Sequence, residues 1–171
     1  LTSTEQDRVA KTNTTSSEAQ QLYLKGRFHW NKRNTDDFQK ARDYFQQAIA
    51  ADSKYALAYT GLADTLALMP YYGSFRPSEY MSLAKQAAQK ALEIDPNLAE
   101  AHASLGQILT NYDYDLKGAE KELKRAIELD PKYGDVIVRR WQEWTGKQAT
   151  RDSDGALFDD QAASDSSAIS Q

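Results

Sequence analysis

Two features of the sequence predict an all-α fold, an α-α superhelix of three helical hairpins plus a C-terminal capping helix. The first is an internal repeat. The stretches "AIAADSKYALAY" (48–59), "ALEIDPNLAEAH" (91–102) and "AIELDPKYGDVI" (126–137) each place an alanine, four residues, then Ser or Pro before a new segment. Ser53 and Pro96 lie 43 residues apart, and Pro96 and Pro131 lie 35 apart. Periods of this size mark helical pairs that bury their apolar faces by stacking on their neighbours. The second feature is apolar spacing between the repeated strings, at three and four residues, the period of one helix face.

The hairpins can be justified in order. In the first, Leu22, Gly26 and His29 face Ala41, Phe45 and Ala48. In the second, Tyr59, Leu62 and Leu66 share a face, with Ala63 small enough to admit a partner carrying Ala84, Ala88 and Ala91. In the third, His102, Leu105, Gly106 and Leu109 meet Ala119, Leu123 and Ala126. Pro96 and Pro131 end their helices, since proline lacks an N–H and forces the preceding residue out of the helical region. Asp115 suits the N-cap of the last partner helix. Beyond it, Tyr133, Val136, Ile137, Trp141 and Trp144 form an apolar stripe, opposed by Arg139, Arg140, Gln142 and Glu143, with Gly146 as a stop. An array must cover its last pair, and this amphipathic helix is suited to do so. The expected organisation is a polar linker at 1–16, three helix pairs at 17–133, a capping helix at 134–148 and an acidic, disordered tail at 149–171.

Composition narrows the function. The chain has no cysteine, which excludes disulfides and thiolate metal sites. Its two histidines, His29 and His102, are far apart in sequence and read as ordinary helix residues, so no metal is expected. The net charge is −4, of which the five acids from Asp152 onward contribute −5 and the preceding chain +1. That balance carries no nucleic-acid footprint, and "KGRFHWNKR" reads as a solvated helix face. No apolar run approaches the ~18 residues of a membrane span. There is no nucleophile elbow, phosphate-binding glycine loop or His-Glu-x-x-His helix, so neither catalysis nor a cofactor is expected from the repeats. A cytoplasmic location is the reading. The first residue is Leu, which suggests a piece of a longer or processed chain.

The pattern resembles the tetratricopeptide repeat (TPR) family over roughly residues 17 to 133. Its large-small-Ala-Phe-Ala-Pro framework is met by Tyr59, Leu62, Ala63, Ala84, Ala91 and Pro96, and again by Leu105, Gly106, Ala119, Leu123, Ala126 and Pro131. Against a 34-residue repeat the chain departs by a nine-residue insertion around "MPYYGSFRPSEY", a single extra residue in the third unit, and Ser53 in place of proline. "LYLKGRFHWNKR", "YALAYTGLADTLAL" and "LAEAHASLGQIL" are similar to a bacterial subset that follows regulatory, kinase-like or DNA-binding modules. The resemblance implies a concave groove lined by the first helix of each pair. By family position it would show Tyr23, Arg27 and Trp30, then Leu57, Thr60, Asp64 and Leu68, then Glu100, Ala103, Gln107 and Asn111. Such a groove suits a protein or peptide partner held by a few anchors. The oligomeric state is left open. Family members that clamp a terminal carboxylate use Lys, Asn and Arg. The corresponding positions here hold Tyr23, Arg27, Gly61, Glu100 and Ser104, and Glu100 would repel such a group. The insertion's Tyr71, Tyr72, Phe75 and Tyr80 either pack over their own helix ends or form a partner-contact lip.

The last repeated string is ambiguous. A fourth repeat would put Trp141 where close packing demands a small residue. "IELDPKYGDVIVRRWQEWTGKQA" instead resembles the C-terminal stretch of bacterial and phage DNA amino-methyltransferases that use S-adenosylmethionine, over about residues 127 to 160. There the acid matching Glu128 would contact the cofactor ribose. The Asp-Pro-Pro-Tyr and Phe-x-Gly-x-Gly segments of such enzymes are missing, so the resemblance implies a fragment without catalytic activity. The two sequences share "ELDPKY", where recombination or mis-assembly of the reading frame would join them. An inert spacer is a further alternative to the interaction scaffold.

Overall fold

The computed structural model describes residues 14–134. The chain divides after Asp130 into two compact units. In the first, six α-helices follow one another: α1 (Ser17–Trp30), α2 (Thr35–Ala51), α3 (Ala56–Tyr72), α4 (Pro77–Ile94), α5 (Ala99–Ile108) and α6 (Leu116–Leu129), with a π-helical turn Leu109–Asp113 after α5. No strand occurs among the described residues. Of the second unit, residues 131–134 are described. They begin a helical turn in which the Gly134 N–H donates to the Pro131 carbonyl at 2.9 Å, with Tyr133 half-buried. Val136, Ile137, Trp141 and Trp144 of the expected capping helix lie outside the described residues.

Local chemistry starts four of the six helices. Ser16 caps α1 through the Ala19 N–H at 3.2 Å. Asn34 caps α2 through the Asp37 N–H at 2.9 Å, with Asp36 and Asp37 favourable at the positive end of the helix dipole. Pro77 opens α4 at a position where its missing N–H costs nothing. Asp115 caps α6 through the Gly118 N–H at 3.0 Å. The second helices end alike. Asp52, Asp95 and Asp130 are extended, and each returns its N–H to an alanine carbonyl (Ala48, Ala91, Ala126) at 2.9 Å. Asp52 and Asp95 also accept the N–H two residues on, from Lys54 at 2.9 Å and Asn97 at 3.0 Å. The aspartate thus makes the turn, which is why Ser53 replaces proline without altering it.

The irregular spacings have separate structural outlets. The nine-residue insertion lengthens α3 to 17 residues, through an internal Pro70, and adds the connection to α4. The single extra residue of the third unit coincides with the π-helical turn, which closes on left-handed Tyr114 (φ 55°).

Paired helices α1–α2, α3–α4 and α5–α6 pack most extensively, and α2–α3 and α4–α5 join one pair to the next. The core is built largely from alanine, so helices approach closely. One cluster gathers Phe38, Leu66, Met69, Ala84, Ala88 and Leu105 among others; a second gathers Ala19, Ala48, Tyr55, Ala56, Ala91 and Ala101. Phe45 of α2 is fully buried between glycines of two different helices. A Cβ on Gly26 of α1 would lie 2.7 Å from its ring, and one on Gly61 of α3 would lie 2.5 Å from it. Tyr23 also tilts against Phe45 at 5.6 Å between ring centroids. Gly106 repeats the device against Leu123, at 2.7 Å. Tyr55 is fully buried too, with a hydroxyl unpaired among the described residues. Burial pushes that phenol well above its ordinary range, and Tyr23 and Asp52 add to the effect.

Alanine normally improves a helix interior over glycine by about 1 kcal/mol. Here Gly61→Ala is expected to destabilise by about 1–3 kcal/mol, because the enclosed Phe45 ring cannot yield. Gly106→Ala should cost less, because the half-buried Leu123 can turn away. Urea unfolding of both variants checks the order.

A second prediction concerns acid. The His29 ring at 2.6 Å, then the Asn34 amide and the Lys32 ammonium, hold the Asp37 carboxyl far below its ordinary 3.8. A folded value below the unfolded one gives stability that is complete above about pH 3.8 and lost as pH falls toward the folded value. The stability difference between wild type and Asp37→Asn should therefore shrink between about pH 4 and pH 2, read from urea midpoints.

Candidate partner-binding groove

The first helices form one wall. Besides its own partner, α3 touches both α1 and α5, whereas the second helices make no comparable contact with one another among the described residues. That asymmetry crowds α1, α3 and α5 together and splays α2, α4 and α6, so the wall of first helices is the concave side.

The side chains expected on this wall do not all reach its surface. Tyr23, Arg27, Trp30, Asp64, Leu68, Glu100 and Ala103 are half-buried, and Gln107 and Asn111 are exposed, with Asn111 on the π-helical turn. Leu57 and Thr60 correct the expectation. Leu57 is buried among Ala56, Ala101 and Leu98, and the Thr60 hydroxyl is turned back onto the Ala56 carbonyl at 3.2 Å. As the middle first helix, α3 has a neighbour on each side and exposes only a thin strip. Gly61, aligned with a clamp position, is spent on the close approach to Phe45.

The polar residues left on the wall are connected. The Ser104 hydroxyl on α5 shares its one proton between Asp64 on α3 and the Glu100 carbonyl at 3.0 Å. Arg27 on α1 approaches the same carboxylate from the other side, at 3.9 Å, with both side chains 26 % exposed. The seam Arg27–Asp64–Ser104 therefore crosses all three first helices. Its α1 end is aromatic and cationic. The Arg27 guanidinium lies 4.5 Å from the Trp30 ring centroid, and that of Arg33 lies 3.7 Å from it. Stacking of this kind fixes the plane of a guanidinium over the ring. The Trp30 indole nitrogen is buried and unpaired among the described residues. Sequence reasoning missed Arg33. Its three-residue spacing from Trp30, mirroring Arg27, was the available signal, but left-handed Arg33 (φ 55°) sits past the helix end, where helical spacing no longer applies.

Three of the insertion's aromatics pack on rings within the array, and the fourth is largely exposed. Tyr72 packs on Phe38 across to α2 at 4.9 Å, and Phe75 packs on Tyr80 at 4.9 Å, while Tyr71 is 65 % exposed. The histidines are structural. His29 bonds Asp37 and stacks on Tyr44, and His102 joins Glu122 at 2.6 Å to the Pro96 carbonyl at 3.0 Å. No three His, Asp or Glu side chains converge to hold a metal among the described residues. No described helix is long and apolar enough to cross a membrane.

Solved structures with the same arrangement decide the fold. A thermophilic TPR protein of Thermus thermophilus matches with a TM-score of 0.65 at 18 % identity, over 75 % of this chain and 66 % of that one. The fold is the tetratricopeptide-repeat fold. The first TPR of Spaghetti, solved bound to an HSP90 peptide, superposes with a TM-score of 0.58 at 17 % identity, over 78 % of this chain and 98 % of that one. The TPR2B domain of yeast Sti1, in complex with an Hsp70 peptide, gives 0.57 at 20 %, over 75 % and 93 %. No known sequence family matches the chain, and no curated protein does. At these identities the likeness establishes a TPR-type array of helical hairpins.

The seam's two links differ in strength. A double-mutant cycle between Asp64 and Ser104 should give a coupling of about 1 kcal/mol. The long, part-exposed Arg27–Asp64 pair should give no more than about 0.5 kcal/mol. Equal couplings would show that the ion pair closes in solution.

Proposed function

We propose that this chain is a non-enzymatic protein-interaction scaffold, and that the wall of α1, α3 and α5 takes an extended peptide or a partner helix. The observation that carries the reading is the exposed strip of that wall, where Arg27, Trp30, Asp64, Leu68, Glu100, Ala103, Gln107 and Asn111 offer a few anchors among small residues. Two TPR domains of the same fold are solved with chaperone peptides bound. This groove differs from a terminal-carboxylate clamp in having Gly61, Glu100 and Ser104 among the positions where such clamps use Lys, Asn and Arg, so its partner is of another kind. We place the array, at residues 17–133, as a module of a larger bacterial regulatory protein, with 134–148 as its cap.

The second reading, a methyltransferase remnant, rests on the resemblance of residues 127 to 160. The described part of that stretch weighs against a working cofactor site. Glu128 lies on α6, not at a strand end, and pairs with Arg125 at 3.1 Å.

Two measurements on the full chain decide between the readings. Calorimetry with S-adenosylmethionine is expected to show no binding; micromolar affinity would favour the remnant. Affinity capture should retain a partner that Ala103→Arg loses while its circular dichroism is unchanged. Equal retention by both proteins would remove the groove from the function, and retention by neither would favour a spacer.

A further inference from the structure

The electrostatics of the wall give the partner a direction. This inference rests on the groove reading above and adds the chemistry of what the groove takes. Cationic groups are gathered at the α1 end, where the Arg27 and Arg33 guanidinium groups both lie over the Trp30 ring. Anionic groups occupy the rest of the polar strip, with Asp64 on α3 and Glu100 on α5. The two ends meet at one long contact, Arg27 to Asp64 at 3.9 Å. Trp30 holds the α1 cations by stacking, and Ser104 holds Asp64 toward α5. Glu100 lies one helical turn from Ser104, whose hydroxyl is bonded to the Glu100 carbonyl. The wall therefore carries cations at its α1 end and anions toward α5, with little net charge.

We infer that the groove binds a peptide segment carrying an internal acidic side chain for the Arg27–Trp30–Arg33 end and a basic side chain for the Asp64–Glu100 end. A terminal carboxylate is not required, because a guanidinium pairs equally well with a side-chain carboxylate. Neighbouring helices pack about 8–10 Å apart. An extended chain advances about 3.3–3.6 Å per residue. One to two helix steps thus set the acid and the base about two to six residues apart. The segment crosses the first helices, so its direction is fixed by the order of its charges. A reversed peptide would put like charges together at both ends.

The test uses a displayed library of random 12-residue peptides, selected against the full chain. Enriched peptides are expected to carry an acid and a base at that spacing, in one order, and to compete with one another. Binding of a selected peptide should fall tenfold or more with Arg27→Glu, and also with Glu100→Lys. The double charge reversal should prefer peptides with the order of charges inverted. Circular dichroism and melting of each variant establish that the fold persists. Peptides that bind the wall, as judged by loss with Ala103→Arg, but carry no ordered charge pair would overturn the inference and leave the groove reading intact. Peptides insensitive to Ala103→Arg, or no enrichment at all, would overturn the groove reading and this inference with it.

Discussion

The structure depends on how closely a second helix can lie against two first helices at once. Phe45 decides this for the first two units. Its ring occupies the space that side chains at Gly26 and Gly61 would need, so α2 wedges between α1 and α3 without spreading them. The benefit is more than local packing. Because α2 sits this deep, α1 and α3 can touch, and the touching first helices make the wall on which Arg27 reaches toward Asp64. The third hairpin uses a softer version, in which Gly106 meets a leucine that is only half-buried. A rigid aromatic wedge lies near the start of the array and an adaptable aliphatic one near its end.

The groove chemistry follows from that closeness. Arg27 and Asp64 occupy equivalent places on successive first helices, and they meet only because the helices do. Asp64 then takes a hydroxyl from α5, so one carboxylate ties three helices together. Part-exposed charges of this sort contribute little stability, and the core of alanines, Phe38, Phe45 and Met69 holds the array without them. Their consequence is orientation: the polar groups of the wall are fixed before a partner arrives, which lowers the ordering cost of binding.

Much of this was legible in the sequence. The Ala-x4-Ser/Pro strings located the ends of the second helices, since proline and the aspartate before it act through local backbone chemistry. Small residues at Gly26, Ala63 and Gly106 signalled close approach, because a pattern of missing side chains has few other causes. The groove was harder. Leu57 and Thr60 have the right helical phase, yet they are buried, because the middle helix of three has a neighbour on both flanks and phase alone does not count neighbours. Gly61 was aligned with a ligand position, but its role depends on a ring 16 residues earlier in the chain. Arg33 escaped because it stacks on Trp30 from a left-handed position beyond the helix. The Ser104–Asp64 bond joins residues 40 apart, a pairing that no local pattern encodes.

The π-helical turn at Leu109–Asp113 has a consequence for how such a chain can change. An inserted residue in an ordinary helix rotates everything after it by about 100°, the angle between successive residues at 3.6 per turn. Here the surplus is taken up in one wide coil that ends at Tyr114, and Asp113 is pinned sideways to Lys85 of α4. Downstream, Ala119 and Ala126 still enter the core, so the error is confined to a single coil. The turn works as an expansion joint, and it marks a place where the gene can gain or lose a codon while the following helix keeps its register.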